Sequence, residues 1–544
     1  MENEKEEHII YSSQEEVDVY EFIDNRLNEL HNQGYLQARL DTIISATESQ
    51  TIVLFTGKPY FYKLSNDNIS TMVLKKLNLE NYFTSEPFPY VKLTTITQKL
   101  LTYYGNHGYP FARIYKSDIQ ISGQFIHAKL TSRLMESVIY DSIVTQGDIN
   151  LTDRFLEAHL GIKKGALYNE KDILEAENKL RYLNFLQVTG PVGVSFSPGR
   201  ARVILPLSKK RSNRFDGIAG VVSSDDPLRP IQLTGTLNLY LINALEAGES
   251  FDMVWQGLGN GTQILSIKVA YPYIIGLPLG VQAHFSLHRQ DSTWIQILQQ
   301  PAVNFQPSTA IQLSVFAKLL QNNLLATRHL ATLNSTPQNL DFRSNMYGIS
   351  ILYMTPAYDA ALLQKGHRVS LSVAAGQQTI KINNNLPQAI YDDLALQTNQ
   401  VHLDIGAEKR WRTSNVTTLN LQIENAWNSG KDLFENQLFR LGGYNSLKGF
   451  DESSLLASAY SFTNLEFRVF ASEGTYFSAF VNGGWYERNL KNNYYKDFPV
   501  GFGTGLNLET QAGIFAIYLA LGTQRDVPVE IRNSKIHIGY TSVF

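Results

Sequence analysis

The residues of this chain that could act on a ligand are few, and none of their spacings is that of a catalyst. There is no cysteine, which excludes thiolate metal ligands, disulfides and cysteine nucleophiles. The eleven histidines are scattered and form no His-Glu-x-x-His zinc pattern, and no Gly-x-Ser-x-Gly elbow occurs. "GFGTG" (501–505) has the glycines of a phosphate loop, but no Lys-Ser/Thr follows it. Its glycines alternate with Phe502 and Thr504, as on one face of a strand. Asp225-Asp226 and Asp392-Asp393 sit in turn-like stretches and read as solvated. One stretch stands apart: "FRLGGYNSLKGF" (439–450), where glycines flank a lysine and an aromatic, Lys448 and Phe450. The chemistry on offer there is anchoring, by one cation on a segment that can bend sharply. No enzyme, metal or cofactor is expected.

What must position that segment is legible in the second part of the chain. From about residue 214 onward the hydrophobic pattern has period two. In "IQLTGTLNLYLI" (231–242), Ile231, Leu233, Leu237, Leu239 and Leu241 oppose Gln232, Thr234, Thr236, Asn238 and Tyr240. "NLEFRVF" (464–470) sets Glu466 and Arg468 against Leu465, Phe467 and Val469. Sixteen such segments can be counted, the first centred near residue 218, the eleventh and twelfth near 421 and 465, the last near 539. The face opposite the aliphatics carries charge, which suits a transmembrane barrel with a polar lumen and an apolar outside. No apolar run approaches the roughly 18–20 residues of a membrane helix. Lys+Arg number 47 and Asp+Glu 50, so the basic excess of a nucleic-acid binder is missing.

Before residue 210 the pattern is different and repeats. A helical stretch (15–35) ends at Gly34-Tyr35 and leads into Ala38-Arg39-Leu40. A second (94–122) ends at Gly108-Tyr109 and leads into Ala112-Arg113-Ile114, and a weaker third (170–196) has Asn184 in the glycine's place. The period is about 75 residues, as in three copies of one small α+β module. The first copy is short, without room for the strand and short helix that precede the Gly-Tyr helix in the others. The opening "MENEKEEHII" is acidic and has no apolar signal-peptide core; beside an exported barrel, it reads as a processed or trimmed start.

With these residues in view, the chain resembles the outer-membrane assembly superfamily of the BamA/TamA type, closest to TamA-like members. That resemblance implies periplasmic POTRA modules before a sixteen-stranded antiparallel transmembrane β-barrel in the bacterial outer membrane. The expected division is a partial module at 1–57, modules at 58–133 and 134–210, and a barrel at 211–544. "GIKKGALYN" (161–169) resembles the turn and helix start of the barrel-proximal module. The family places an Arg-Gly-aromatic motif at the tip of a loop between strands eleven and twelve, folded into the lumen. Here that loop is 431–458, with Gly442, Gly443, Leu447, Lys448, Gly449 and Phe450 as its motif. The arginine is replaced by Lys448. Its usual aspartate, in a Phe-x-Asp-x-Gly pattern, is Asn482 within Phe480–Gly484. An ammonium facing an amide makes a weaker contact than a guanidinium clamping a carboxylate. Lys448 is therefore expected to reach Asn482 and a lumen carboxylate such as Glu466 or Glu509. The "GFGTG" glycines should leave room for the loop. The last strand, "SKIHIGYTSVF", resembles the terminal targeting strand of such barrels in His537, Gly539 and the terminal aromatic Phe544, with Ser542 as a departure.

The same resemblance implies how such a protein works. Gly217 and Gly220 in the first strand and Gly539 in the last weaken pairing, so a seam is expected between those strands. The expected function is assembly, insertion or translocation of outer-membrane or secreted client proteins, by strand addition at module edges and at the seam. Alternatives are a two-partner-type secretion pore and a structural barrel in an envelope complex. Expected partners are unfolded clients, the lipid bilayer and, in TamA-like roles, a bridging protein anchored in the inner membrane. "SKKRSNR" (208–214) could meet lipid headgroups or be a solvated linker.

Overall fold

The computed structural model describes residues 6–11, 16–45, 50–84, 86–223, 231–259, 261–274, 276–327, 337–355, 366–431, 433–443, 446–451, 453–472, 474–490, 493–510, 513–525 and 527–543. It divides into two compact units: Met1–Ser142 with Lys163–Leu174 and Gly193–Val203, and Ile143–Ile162 with Glu175–Val192 and Ile204–Phe544.

In the first unit, helix α1 (Glu16–Gln33) covers a three-stranded antiparallel sheet, Glu6–Tyr11, Gln50–Phe55 and Arg39–Ser45 in spatial order. Val19, Ile23 and Leu30, at helical spacing, bury against Ile52 and Leu54. The helix stops where Gly34 takes φ +106°, a conformation that favours glycine. A strand does precede this helix: Glu6–Tyr11 pairs in full register with Gln50–Phe55. Among the described residues, the short helix expected from the other copies is not seen there. "EEHIIY" has no period-two alternation of apolar and polar residues and so gives no strand signal of its own.

The next sheet orders Phe88–Pro89, Phe61–Asn66, Phe125–Arg133 and Arg113–Ser122. Helices α2 (Thr71–Lys76) and α3 (Tyr90–Gly105) pack on it through Val73, Leu74, Leu93, Ile96 and Leu100. The stretch 51–65 is thus two strands, broken between Phe55 and Phe61 at Gly57 and Pro59. A last N-terminal sheet comprises Gly193–Ser197, Arg200–Lys209 and Ile139–Gln146, with Leu186–Val188 on Arg200–Lys209. Its helices are α4 (Asp153–Leu160) and α5 (Glu170–Leu180).

The second unit is dominated by a closed antiparallel barrel. Strands one to eleven are Arg214–Ser223, Ile231–Ile242, Ser250–Gly259, Thr262–Tyr271, Leu279–Gln290, Trp294–Ser308, Ile311–Leu324, Phe342–Met354, Gly366–Ile380, Gln397–Arg412 and Thr417–Gly430. Strands twelve and thirteen are Ala459–Phe470 and Tyr476–Leu490. Strand fourteen comes in two pieces, Asn493–Asp497 and Val500–Glu509, both paired with strand thirteen. Pro499, without an N–H for the ladder, makes the break. Ile514–Thr523 and Lys535–Val543 complete the sixteen. Side chains alternate as the pleat demands. On strand eight Tyr347, Ile349 and Ile351 face outward and exposed, while Ser344 and Met346 are buried inside. This is the inverse of a water-soluble barrel and matches a lipid-facing exterior. Among the described residues no helix is long and apolar enough to cross a membrane.

Helix α4 is seated on two turns of this unit. Thr152 N donates to Glu246 O at 2.8 Å, and the Phe155 ring fills the space over Gly248, which has φ +70°. Tyr273 packs edge-on against Phe155 at 5.5 Å. His159 bridges the joint: Nε2 lies 2.9 Å from Lys179 O and Nδ1 2.9 Å from the Tyr273 hydroxyl. The carbonyl can only accept, so Nε2 carries the hydrogen and Nδ1 accepts from Tyr273. Burial lowers the His159 pKa to about 4.

Candidate functional site: the inward-folded loop and the barrel seam

The described residues between strands eleven and twelve (431, 433–443, 446–451 and 453–458) enter the lumen and are held at two places. At the root, Phe434 is buried among Leu340, Ile380, Leu386, Ile390, Tyr391 and Leu394. Glu435 N donates to Gln338 O at 2.9 Å, Asn436 Nδ2 to Leu340 O at 3.2 Å, and Gln296 Nε2 to Asn436 O at 2.7 Å. These bonds satisfy backbone that would otherwise be stranded inside the barrel. A short hairpin follows, Phe439–Leu441 paired with Leu455–Ala457.

The tip is the glycine-rich stretch. Gly442, Gly443 and Gly449 have φ of +110°, +93° and +102°, a left-handed region that side chains disfavour. Ser446 Oγ closes the first bend, accepting from Gly442 N at 2.8 Å and donating to Gly442 O at 3.0 Å. Leu447 and Phe450 then bury with Leu441, Leu455 and Ala457 of the loop and with Phe462 and Tyr486 of the wall. Gly484 lies against Phe462, whose Cα and Cδ1 stand 2.9 Å from where a Cβ would be.

The wall opposite the tip is ordered in rows across strands thirteen, fourteen and fifteen. Asn482, Gly501 and Gly522 form one row; Phe480, Gly503 and Ala520 the next; Ser478, Gly505 and Tyr518 the third. A side chain at Gly501 would collide with the backbone oxygen of Lys448, and one at Gly522 with that of Gly449. The first row is therefore a bare seat for loop backbone. Gly503 and Gly505 make room for something else, the rings of Phe480 and Tyr518. Of the three "GFGTG" glycines, only Gly501 accommodates the loop itself.

Lys448 lies on those rings. It is 9% exposed, and Nζ stands 5.1 Å from the Phe480 ring centroid and 5.7 Å from that of Tyr518. The expected hydrogen bond to Asn482 is not formed: Asn482 is buried, and neither amide atom has a partner among the described residues. Glu466 is buried nearby, ion-paired with Arg468 at 2.9 Å and 3.5 Å from the Tyr518 hydroxyl. Glu509 is elsewhere, exposed at the end of strand fourteen, where its N–H meets Thr475 Oγ1 at 3.1 Å. Tyr518 and Gly522 are the wall residues the sequence reading missed. The alternating small residues of "YLALG" (518–522), beside "GFGTG", are the one signal that pointed to them.

The barrel closes thinly. Strands one and two pair at ten positions. Strands one and sixteen pair, among the described residues, at two, Arg214 with Val543 and Phe215 with Ser542. Gly217 lies two residues beyond the last pair, where an added Cβ would stand 3.0 Å from Leu237 Cδ2, and Gly220 lies farther along the same edge. On strand sixteen, His537 is paired with Tyr518 and Gly539 with Ala516, among the described residues on the strand-fifteen side only. Phe544 lies outside the described residues.

Comparison with solved structures gives the same architecture. CdiB from Escherichia coli matches with a TM-score of 0.57 at 15% identity, covering 97% of this chain and 98% of that one. CdiB from Acinetobacter baumannii matches with a TM-score of 0.56 at 15% identity, covering 98% and 100%. BamA from Haemophilus ducreyi lacking POTRA domains 1–3 covers 89% of this chain and 99% of that chain, with a TM-score of 0.46 and 13% identity. No protein-family model and no curated protein matches the sequence. The CdiB likenesses are likenesses of fold. A sixteen-stranded barrel with a lipid-facing exterior indicates an outer-membrane protein.

Proposed function

We propose that the protein is an outer-membrane assembly and insertion factor whose working part is the seam between strands one and sixteen. The observation that carries this reading is that strand one pairs with strand two at ten positions but with strand sixteen, among the described residues, at two. A client strand entering lipid exposes backbone N–H and C=O groups, each costing several kcal/mol unpaired. An edge such as strand one beyond Phe215 offers those groups partners. The N-terminal α+β units are read as POTRA modules, the first partial, lying in the periplasm and receiving extended clients at their sheet edges. A kinship to TamA-like members, with a bridging partner anchored in the inner membrane, belongs to the same proposal. In this reading Lys448, Phe480 and the glycine seat fix the loop that braces the wall beside the seam, at strands thirteen to fifteen.

The test is to lock the seam. The chain has no cysteine, so Gly217→Cys with Tyr540→Cys gives a single engineered pair where the register of strands one and sixteen would continue. Oxidation should abolish insertion of client barrels into vesicles, and reduction should restore it. Insertion at the parental rate by the oxidised protein sinks the proposal.

A second reading is a two-partner-type secretion pore, with the client threading the lumen and the loop leaving it. It draws on the end-to-end likeness to CdiB and on a loop held by ring faces rather than by a bidentate ion pair. Under this reading the oxidised pair leaves secretion intact. A purely structural barrel would show neither activity.

A further inference from the structure

We infer that Asp451 and Lys535 tether the tip of the inward-folded loop to the seam strand, so that the loop's position sets how far the seam stays open. This rests on the seam reading above and names the residues that regulate it.

Lys535 Nζ lies 2.7 Å from Asp451 Oδ1. Asp451 directly follows the buried Leu447–Phe450 segment, and the backbone at Gly449 is seated against Leu521 and Gly522 of strand fifteen. The tip thus reaches across strand fifteen to strand sixteen. Strand sixteen is laddered to strand fifteen from Lys535 opposite Ala520 to Thr541 opposite Ile514. Toward strand one it is paired, among the described residues, only at Ser542 and Val543. Lys535 is its first residue, at the opposite end from those two pairs. Ile536 and Ile538 point outward, 65% and 61% exposed, so Lys535 and His537 point to the lumen side, where the loop lies. The splayed end of the seam strand is therefore tied to the loop and not to strand one. While the loop is seated, the tie favours the splayed arrangement. When the loop leaves, strand sixteen is free to zip onto strand one.

Both carboxylate and ammonium are partly exposed, 69% and 33%, and exposed pairs are weak. The expected effect is a few-fold bias rather than an all-or-none switch.

The experiment measures the oxidation rate of the Gly217→Cys/Tyr540→Cys pair in the full-length protein in vesicles. Asp451→Lys and Lys535→Asp should each speed crosslinking a few-fold, because the released strand visits strand one more often. The double exchange, Asp451→Lys with Lys535→Asp, should return the parental rate. Singles that leave the rate unchanged or slow it, or a double that fails to restore it, overturn the tether. Folding of each variant is checked by heat-modifiable migration, and Asp451→Asn provides a milder variant with the same predicted direction. The rate is read without any client. If the oxidised pair still inserts clients, it is the insertase reading that fails, while the charge-exchange pattern stands or falls by itself.

Discussion

Lys448 shows how a position can keep its place and change its chemistry. The loop tip lies against the wall with its ammonium held over Phe480 and Tyr518 and not by Asn482. A desolvated cation over a ring is worth about 2 kcal/mol, less when exposed. Phe480→Leu keeps the buried bulk and removes one ring face. It should raise trypsin nicking after Lys448 several-fold in the folded barrel, measured against Phe480→Tyr as the conservative control. The sequence could nominate Lys448 because glycines mark a forced bend locally. It could not nominate its neighbours, since Phe480 and Tyr518 meet the loop only through the register of three strands, and register is set by pairing that no single segment reveals.

At the scale of elements, the strands were the most legible part. Period two is imposed by a wall with lipid on one side and a polar lumen on the other, so each expected segment centre falls inside an observed strand. The loop bounds followed from the strands beside them. What stayed hidden was pairing of another kind: the Glu6–Tyr11 strand, the break at Pro499, and the seating of α4 on the turns at Glu246–Gly248 and Tyr273. Two predictions belong here. Gly522→Val places a side chain where the Gly449 backbone lies, so the loop should be expelled, and single-channel conductance should rise and fluctuate while heat-modifiable migration persists. The α4 joint should respond to acid. His159 has its pKa lowered to about 4 in the joint against an ordinary 6.5. The undocked state therefore takes up the proton first, and docking weakens as pH falls from about 6.5 to about 4, by up to about 3 kcal/mol. Hydrogen-exchange protection of α4, corrected for intrinsic rates, should fall across that window, and His159→Gln should flatten the dependence.

For the molecule as a whole, the division of labour is between a wall of long paired strands and one joint, between strands one and sixteen, paired at two positions among the described residues. Locking that joint is the decisive experiment, and the charge exchange at Asp451 and Lys535 asks whether the loop governs it. The seat formed by Asn482, Gly501 and Gly522 has a further consequence. It receives main chain, not a particular side chain, and so carries almost no sequence preference. The loop is then an intramolecular competitor for its own wall, present at the millimolar effective concentration typical of a short tether. Any extended peptide that enters the lumen meets a site already occupied, and displaces the occupant only by being held somewhere else at the same time. Entry into this barrel is a contest of local concentrations, and the protein sets the threshold by the length of its own chain.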